Sequence, residues 1–139
     1  MPIYQSLFEN DAQFTLDENY CVAELNEFSK YYNEQLQSAL ELLRTSHPEV
    51  SIVYADYYNA FQWLFDNRSE LGFSGTQACC GSESGGLYNF DLRKMCGKGT
   101  KVCPNPDQTI SWDGIHLTQK AYQIMAQQLL ESHLFECTA

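Results

Sequence analysis

From Val22 to Leu43 the apolar residues recur at Val22, Leu25, Phe28, Tyr32, Leu36, Leu40 and Leu43, always three or four apart. That spacing is the 3.6-residue period of a helix with one apolar face, and it predicts a helix over residues 21–44. Asp17 or Asn19 is placed to cap its start, Arg44 to complement its negative end, and His47-Pro48 to stop it. At Val50 the pattern changes. Residues 50–57 read Val-Ser-Ile-Val-Tyr-Ala-Asp-Tyr, β-branched and aromatic, which predicts a strand covered on both faces as in a parallel sheet. A second helix is expected from near Asn59 through Phe61, Leu64 and Phe65. Leu117, Ala121, Met125 and Leu129, each four apart, predict a last helix over 117–131 with Thr118 as its N-cap. Residues 1–20 show no clear period. Residues 71–111 hold seven of the eight glycines and four of the six cysteines, so they read as a long irregular region.

The order is therefore helix, strand, helix, long loop, helix. A single strand cannot form a sheet, and a parallel strand needs neighbours delivered by further crossover helices. This reads as the tail of an α/β domain whose other strands are elsewhere. The competing reading is a small helical domain in which residues 50–57 are a buried, non-strand segment.

Length and charge narrow the function. At 139 residues the chain has room for one domain, taken as residues 1–139. Eight basic against 18 acidic residues leave a net charge of −10, which argues against nucleic acid as a partner and against docking on anionic membranes. No apolar run approaches the roughly 20 residues of a membrane span. The N-terminus, Met-Pro-Ile-Tyr-Gln-Ser-Leu-Phe, has neither a basic segment nor a continuous apolar one, so no secretory signal is expected in it. Against that stand six cysteines (Cys21, Cys79, Cys80, Cys96, Cys103, Cys137) and the sequon Asn67-Arg68-Ser69, a glycosylation candidate at Asn67. Both point to an oxidising, secretory setting. Six cysteines allow 15 pairings, and spacing does not choose among them. A metal site is the weaker reading. There is no Cys-x-x-Cys pair, adjacent Cys79-Cys80 suit one tetrahedral ion poorly, and His47, His116 and His133 have no ligand-like spacing to them.

The chemistry concentrates in Ile110-Ser-Trp-Asp-Gly-Ile-His-Leu-Thr118. Asp113 and His116 lie three apart around Gly114, a spacing that can bring a carboxylate onto one imidazole nitrogen and leave the other as a general base. On spacing alone, a turn aspartate beside a surface histidine is the commoner outcome. Gly81-Ser82-Glu83-Ser84-Gly85 resembles a nucleophile elbow only superficially. Its central residue is Glu83, no strand is expected to lead into it, and no helix follows. Tyr57, Tyr58, Phe61 and Trp63 fit either a pocket lining or, as the preferred reading for most of them, core.

The block Trp112-Asp113-Gly114-Ile115-His116-Leu117-Thr118 resembles the last sequence block of plant GDSL esterase/lipases, members of the SGNH hydrolase superfamily. Other segments recur in the same order. They are Cys21 and Leu25-Asn26-Glu27-Phe28 with Tyr32-Asn33, Tyr54 to Ala60, Gly72-Phe73, Ala78-Cys79-Cys80-Gly81, Gly85-Gly86, Tyr88-Asn89, and Cys96-Gly97 before Cys103. The wording is most similar to the branch that contains acetylajmalan and sinapine esterases. The resemblance implies the C-terminal part of a three-layer α/β/α, flavodoxin-like domain with few of its strands present. It implies an ester hydrolase with a serine nucleophile, no cofactor and no metal, acting on small-molecule or lipid esters, secreted or vacuolar in its full-length members. Asp113 and His116 take the family's catalytic Asp and His positions. Cys21 takes the place of a cysteine whose family partner lies upstream of this chain.

The departures are as informative. The chain contains no Gly-Asp-Ser block for the nucleophile and no Gly-x-Asn-Asp block for the oxyanion hole. Asn10-Asp11 follows Phe8-Glu9 and stands in the wrong order, so no oxyanion role passes to Asn10. The expectation is a chain with two of three triad members, catalytically incomplete alone, and prone to self-association through an unpaired strand edge. A non-catalytic remnant or binding module is the alternative reading.

Overall fold

The computed structural model describes residues 2–8, 11–82, 86, 88–97 and 99–133. Asn10, Glu83, Ser84, Gly85 and Cys137, discussed above, lie outside them. Four helices run in order: α1 (Pro2–Phe8), α2 (Ala23–Ser46), α3 (Tyr57–Asp66) and α4 (Gln119–His133). Between α3 and α4 lie two short strands, β1 (Cys80–Gly81) and β2 (Lys101–Val102), and a 3-10 turn at Pro106–Gln108.

The core forms where α3 packs on α4. Ala60, Leu64 and Phe65 of α3 meet Ala121 and Met125 of α4, with Phe73, Ile110 and Leu117 of the connecting region closing the cluster. Asp56 caps α3, its carboxylate accepting the Asn59 backbone N–H at 3.0 Å. Thr118 caps α4 as expected. Its hydroxyl oxygen accepts the Ala121 N–H at 3.3 Å and its hydroxyl proton goes to the Thr109 carbonyl at 2.7 Å. The stripe read from the last helix is the stripe that is buried. Leu117, Ala121 and Met125 are inside and Leu129 packs against them.

The expected helix over residues 21–44 is present as α2, shifted two residues downstream. Its stripe, however, is not covered, because no residue of α2 is buried among the described residues. Neither Asp17 nor Asn19 caps it. The N-cap is Val22, without a side-chain hydrogen bond, and Asp17 instead accepts the backbone N–H groups of Asn19 and Cys21 in the preceding turn. The strand expected over residues 50–57 is also absent. The segment has no regular structure and its exposure alternates residue by residue, and it belongs to no sheet among the described residues. A strand is defined by its partner, and no described segment pairs with this one. Conversely, residues 1–20, read as aperiodic, contain α1.

The region read as irregular holds the only described sheet. Cys80 pairs with Val102 and Gly81 with Lys101, antiparallel. Disulfides Cys79–Cys103 and Cys80–Cys96 tie both adjacent cysteines to the same return segment. Cys21 is a free thiol.

The aromatic residues of α3 correct a second expectation. Tyr57 and Trp63 are exposed, and the helix sends Ala60, Leu64 and Phe65 into the core instead. Tyr57, Tyr58 and Phe61 line a cavity of about 400 Å³ that opens between α2 and α3 and includes Tyr4, Leu25 and Phe28.

Candidate catalytic site

The segment 110–118 is a tight hairpin-like loop leading into α4. Ser111 and Leu117 bridge across its base, the Trp112 N–H donates to the His116 carbonyl at 2.8 Å, and the Thr118 N–H to the Ile110 carbonyl at 2.8 Å. Its outer edge lies on the disulfide-bonded strand. The Cys79 and Cys80 N–H groups donate to the Ser111 and Trp112 carbonyls at 3.0 and 2.6 Å. One side of the loop is thus held by the start of α4, the other by the cross-linked β1 segment.

Within the loop Asp113 organises the turn. Its Oδ1 accepts the backbone N–H groups of Ile115 (3.0 Å) and His116 (2.8 Å). Its Oδ2 lies 2.8 Å from His116 Nδ1. Burial pushes the Asp113 carboxyl up, but the bonds donated by the His116 backbone and ring and by the Ile115 N–H outweigh it and hold it below the ordinary carboxylate value. An ionised carboxylate only accepts, so the Nδ1 position carries the proton and Nε2 is left with a free lone pair. The two side chains are partitioned unequally: that of Asp113 is 13% exposed and that of His116 64%. The anion is sheltered while the imidazole faces outward. Such an arrangement leaves Nε2 able to accept a proton from a group that approaches from outside.

The two expected site residues are therefore brought together. One expectation about Ser82 fails, while Glu83, Ser84 and Gly85, the rest of the elbow-like stretch, lie outside the described residues. A strand, the two-residue β1, does lead directly into it. Ser82 itself is 3% exposed, buried behind that strand. Asn67, the sequon asparagine, caps the C-terminus of α3 and its side-chain amide donates to the Trp63 carbonyl at 2.8 Å. The cavity next to the loop, about 420 Å³, is lined by Trp112, Leu117 and Thr118 with Pro106 and Asp107. Neither Asp113 nor His116 lines it. Among the described residues no group of three or more His, Cys, Asp or Glu side chains is placed to hold a metal ion. No helix among them is long and apolar enough to cross a membrane.

Sequence reasoning missed the residues that hold the loop in place. Ser111 Oγ accepts the Gly114 N–H at 3.0 Å, and the Ile3 N–H donates to the Gly114 carbonyl at 3.2 Å. The Phe90 ring lies against the Cα of Gly114. No periodicity links positions 3, 90, 111 and 114, so only the fold reveals the cluster.

A sequence profile of the family described as GDSL-like Lipase/Acylhydrolase matches residues 2–129. The chain is 45% identical over 129 residues to GDSL esterase/lipase At5g03980 of Arabidopsis thaliana, an alignment covering 92% of this chain and 39% of that protein. It is 47% identical over 122 residues to Acetylajmalan esterase 2 of Rauvolfia serpentina, covering 86% and 33%. It is 46% identical over 114 residues to GDSL esterase/lipase At1g28590 of Arabidopsis thaliana, covering 80% and 28%. The chain thus spans well under half the length of the curated relatives it matches. No solved structure matches it.

Proposed function

The chain belongs to the GDSL-like lipase/acylhydrolase family, and from that premise we propose that it is the Asp–His portion of a serine ester hydrolase. The observation that carries the reading is the 2.8 Å contact from Asp113 Oδ2 to His116 Nδ1, with the imidazole exposed. His116 Nε2 takes the proton of a serine hydroxyl as its oxygen attacks the ester carbonyl carbon. The same nitrogen returns that proton to the departing alcohol, leaving an acyl-enzyme. Water then repeats the sequence and releases the acid. Asp113 holds the ring in the Nδ1–H tautomer and stabilises the imidazolium. The serine belongs to a Gly-Asp-Ser block that these 139 residues do not contain.

The layers fit that reading. The uncovered stripe of α2 and the alternating segment 51–56 are what a helix and a strand of a three-layer α/β/α domain become without the neighbouring strands. Expressed alone, the chain is expected to self-associate through these surfaces, and a monodisperse monomer in sedimentation velocity would overturn that part. The two disulfides and the sequon at Asn67 support passage through an oxidising compartment, with secretion or delivery to the vacuole as the outcome. The substrate class is a small-molecule or lipid ester, with no cofactor.

Two assays test the reading. The purified 139-residue chain is expected to hydrolyse a short-chain p-nitrophenyl ester no faster than its His116→Ala variant, because triad members act as a unit. A chimera carrying residues 2–129 in place of the matching segment of the Arabidopsis relative At5g03980 is expected to be active. It should lose activity by three orders of magnitude or so on His116→Ala or Asp113→Asn. A folded chimera whose rate is indifferent to both substitutions would remove Asp113 and His116 from the mechanism.

A further inference from the structure

We propose that Phe90 is the positioning residue of the Asp113–His116 pair, its ring acting as the surface against which the Gly114 apex of the loop is set. The role rests on the reading of that pair as the acid and base of the site, but the contact itself is independent of any reaction.

The hydrogen bonds between Asp113 and His116 are all internal to the loop. They fix the pair's mutual geometry only so long as the loop keeps its shape, and they say nothing about how the imidazole is aimed relative to the rest of the domain. Both requirements converge on Gly114. Its φ of +94° lies in the left-handed region that a side chain opposes, and that torsion is what folds His116 back toward Asp113. Five residues hold it there. Ser111 Oγ, itself 1% exposed, takes its N–H, and Ile3 donates to its carbonyl. Asp113 on one side and Ile115 on the other close the Asx turn. The remaining face is covered by Phe90. A Cβ on Gly114 would lie 2.8 Å from Cγ and 2.9 Å from Cε2 of that ring, and nearer still to Cδ2. Such separations are far inside carbon–carbon contact, so the ring occupies the space a side chain would take.

Phe90 has a rigid seat. It is 4% exposed and follows Asn89, whose side-chain amide donates to the Ala78 carbonyl at 2.7 Å. Asn89 in turn crosses β1 so closely that a Cβ on Gly81 would overlap it. Segment 88–90 is therefore keyed at one glycine on the cross-linked strand and at another on the catalytic loop. The ring transmits the position of the disulfide-bonded strand to the apex between Asp113 and His116. A smaller side chain at 90 leaves Gly114 free to leave the left-handed region, and the Nδ1–carboxylate bond loosens with it.

The test reads the imidazole rather than turnover. Long-range nitrogen–proton correlation spectra of the 139-residue chain with the His116 ring neutral should show a single tautomer protonated at Nδ1. The Gly114 Hα resonances should carry a ring-current shift from the adjacent Phe90 ring. Phe90→Leu should convert the single tautomer to a mixture in which Nε2–H forms, with the resonances of the Leu64–Met125 core unmoved. Phe90→Tyr, which keeps the ring face, should restore the wild-type pattern. A folded Phe90→Leu chain that retains the pure Nδ1–H tautomer overturns the proposal. So does a wild-type chain whose Gly114 Hα resonances carry no ring-current shift, and that reading requires no substitution to fold. Failure of the ester assays with the spectra as expected would count against the hydrolase reading and leave the positioning role standing.

Discussion

Helices α4 and α2 carry apolar stripes of the same period, yet they end in opposite situations. Ala121 and Met125 of α4 are fully buried against Leu64 and Phe65 of α3. The stripe of α2 runs along 24 residues, and its members Phe28, Tyr32 and Leu43 are exposed. The α4 layer is complete within the chain because α3 and the loop leading into α4 wrap it. The α2 layer lacks an opposing surface. Periodicity reports which face of a helix is built to be covered, and the presence of the cover depends on other parts of the fold.

The sharpest way to break the comparison is to truncate both stripes. Met125→Ala or Leu64→Ala removes a large, fully buried side chain and should cost about 2–5 kcal/mol in denaturant unfolding. At protein concentrations low enough to keep the chain monomeric, Leu43→Ala and Tyr32→Ala on α2 should stay within about 0.5 kcal/mol. A loss at Leu43 as large as that at Met125 would mean that the α2 face is covered in solution.

The cross-linked region gives the next largest effect. Replacing Cys80 and Cys96 together by serine opens a bridge of sequence separation 16 and should lower stability by about 3 kcal/mol. The loss should fall on the 79–117 region. Amide exchange there should accelerate, including the Cys80 N–H that holds the Trp112 carbonyl, while exchange along α2 stays the same. Equal acceleration in α2 would show that the uncovered helix depends on the loop after all.

A smaller effect separates the helix starts. Thr118→Ala removes the hydroxyl that accepts the Ala121 N–H and donates to the Thr109 carbonyl, and should cost about 1–2 kcal/mol. At α2 the cap position is Val22, which offers no side-chain bond, so Val22→Ala should show only a packing loss. The contrast is measured by the thermal midpoints of the two variants.

How far the fold was legible follows from the same physics. The stripe and cap of α4 and the presence of α3 could be read because each rests on contacts within a few residues, whereas spacing only allowed the Asp113–His116 approach and the family resemblance made it the expectation. Thr118 reaches Ala121, and Asp113 reaches His116. The strand expected at residues 50–57 is not formed because strand formation needs a distant partner, and no described segment supplies one. The cap of α2 was misassigned because Asp17 found nearer donors in its own turn. The disulfide pairing and the Phe90–Gly114 contact were invisible for a related reason. They join residues 16 to 24 positions apart across a loop without periodicity.

The smallest expected effect concerns acid and again sets the two ends of the molecule against each other. Asp113, beside α4, is held below its ordinary value, its burial being outweighed by the bonds from His116 and Ile115. Glu24, in the first turn of α2, is lowered mainly by the Thr15 N–H, which lies 2.9 Å from Oε2. A carboxylate whose folded pKa is depressed stabilises the fold fully above its unfolded value, near 4, and loses that contribution as pH falls through the folded value. Stability should therefore be level from about pH 7 to 5 on this account and decline below about pH 4. Asp113→Asn should flatten part of that decline, because the sheltered carboxylate gathers three donated bonds in one turn. Glu24→Gln should flatten it less, because its carboxylate is open to solvent and screened. Thermal midpoints of the three proteins between pH 7 and 3 measure this. An acid limb altered more by Glu24→Gln than by Asp113→Asn would place the stronger electrostatic anchor on the uncovered helix, the reverse of the order the burial of the two groups requires.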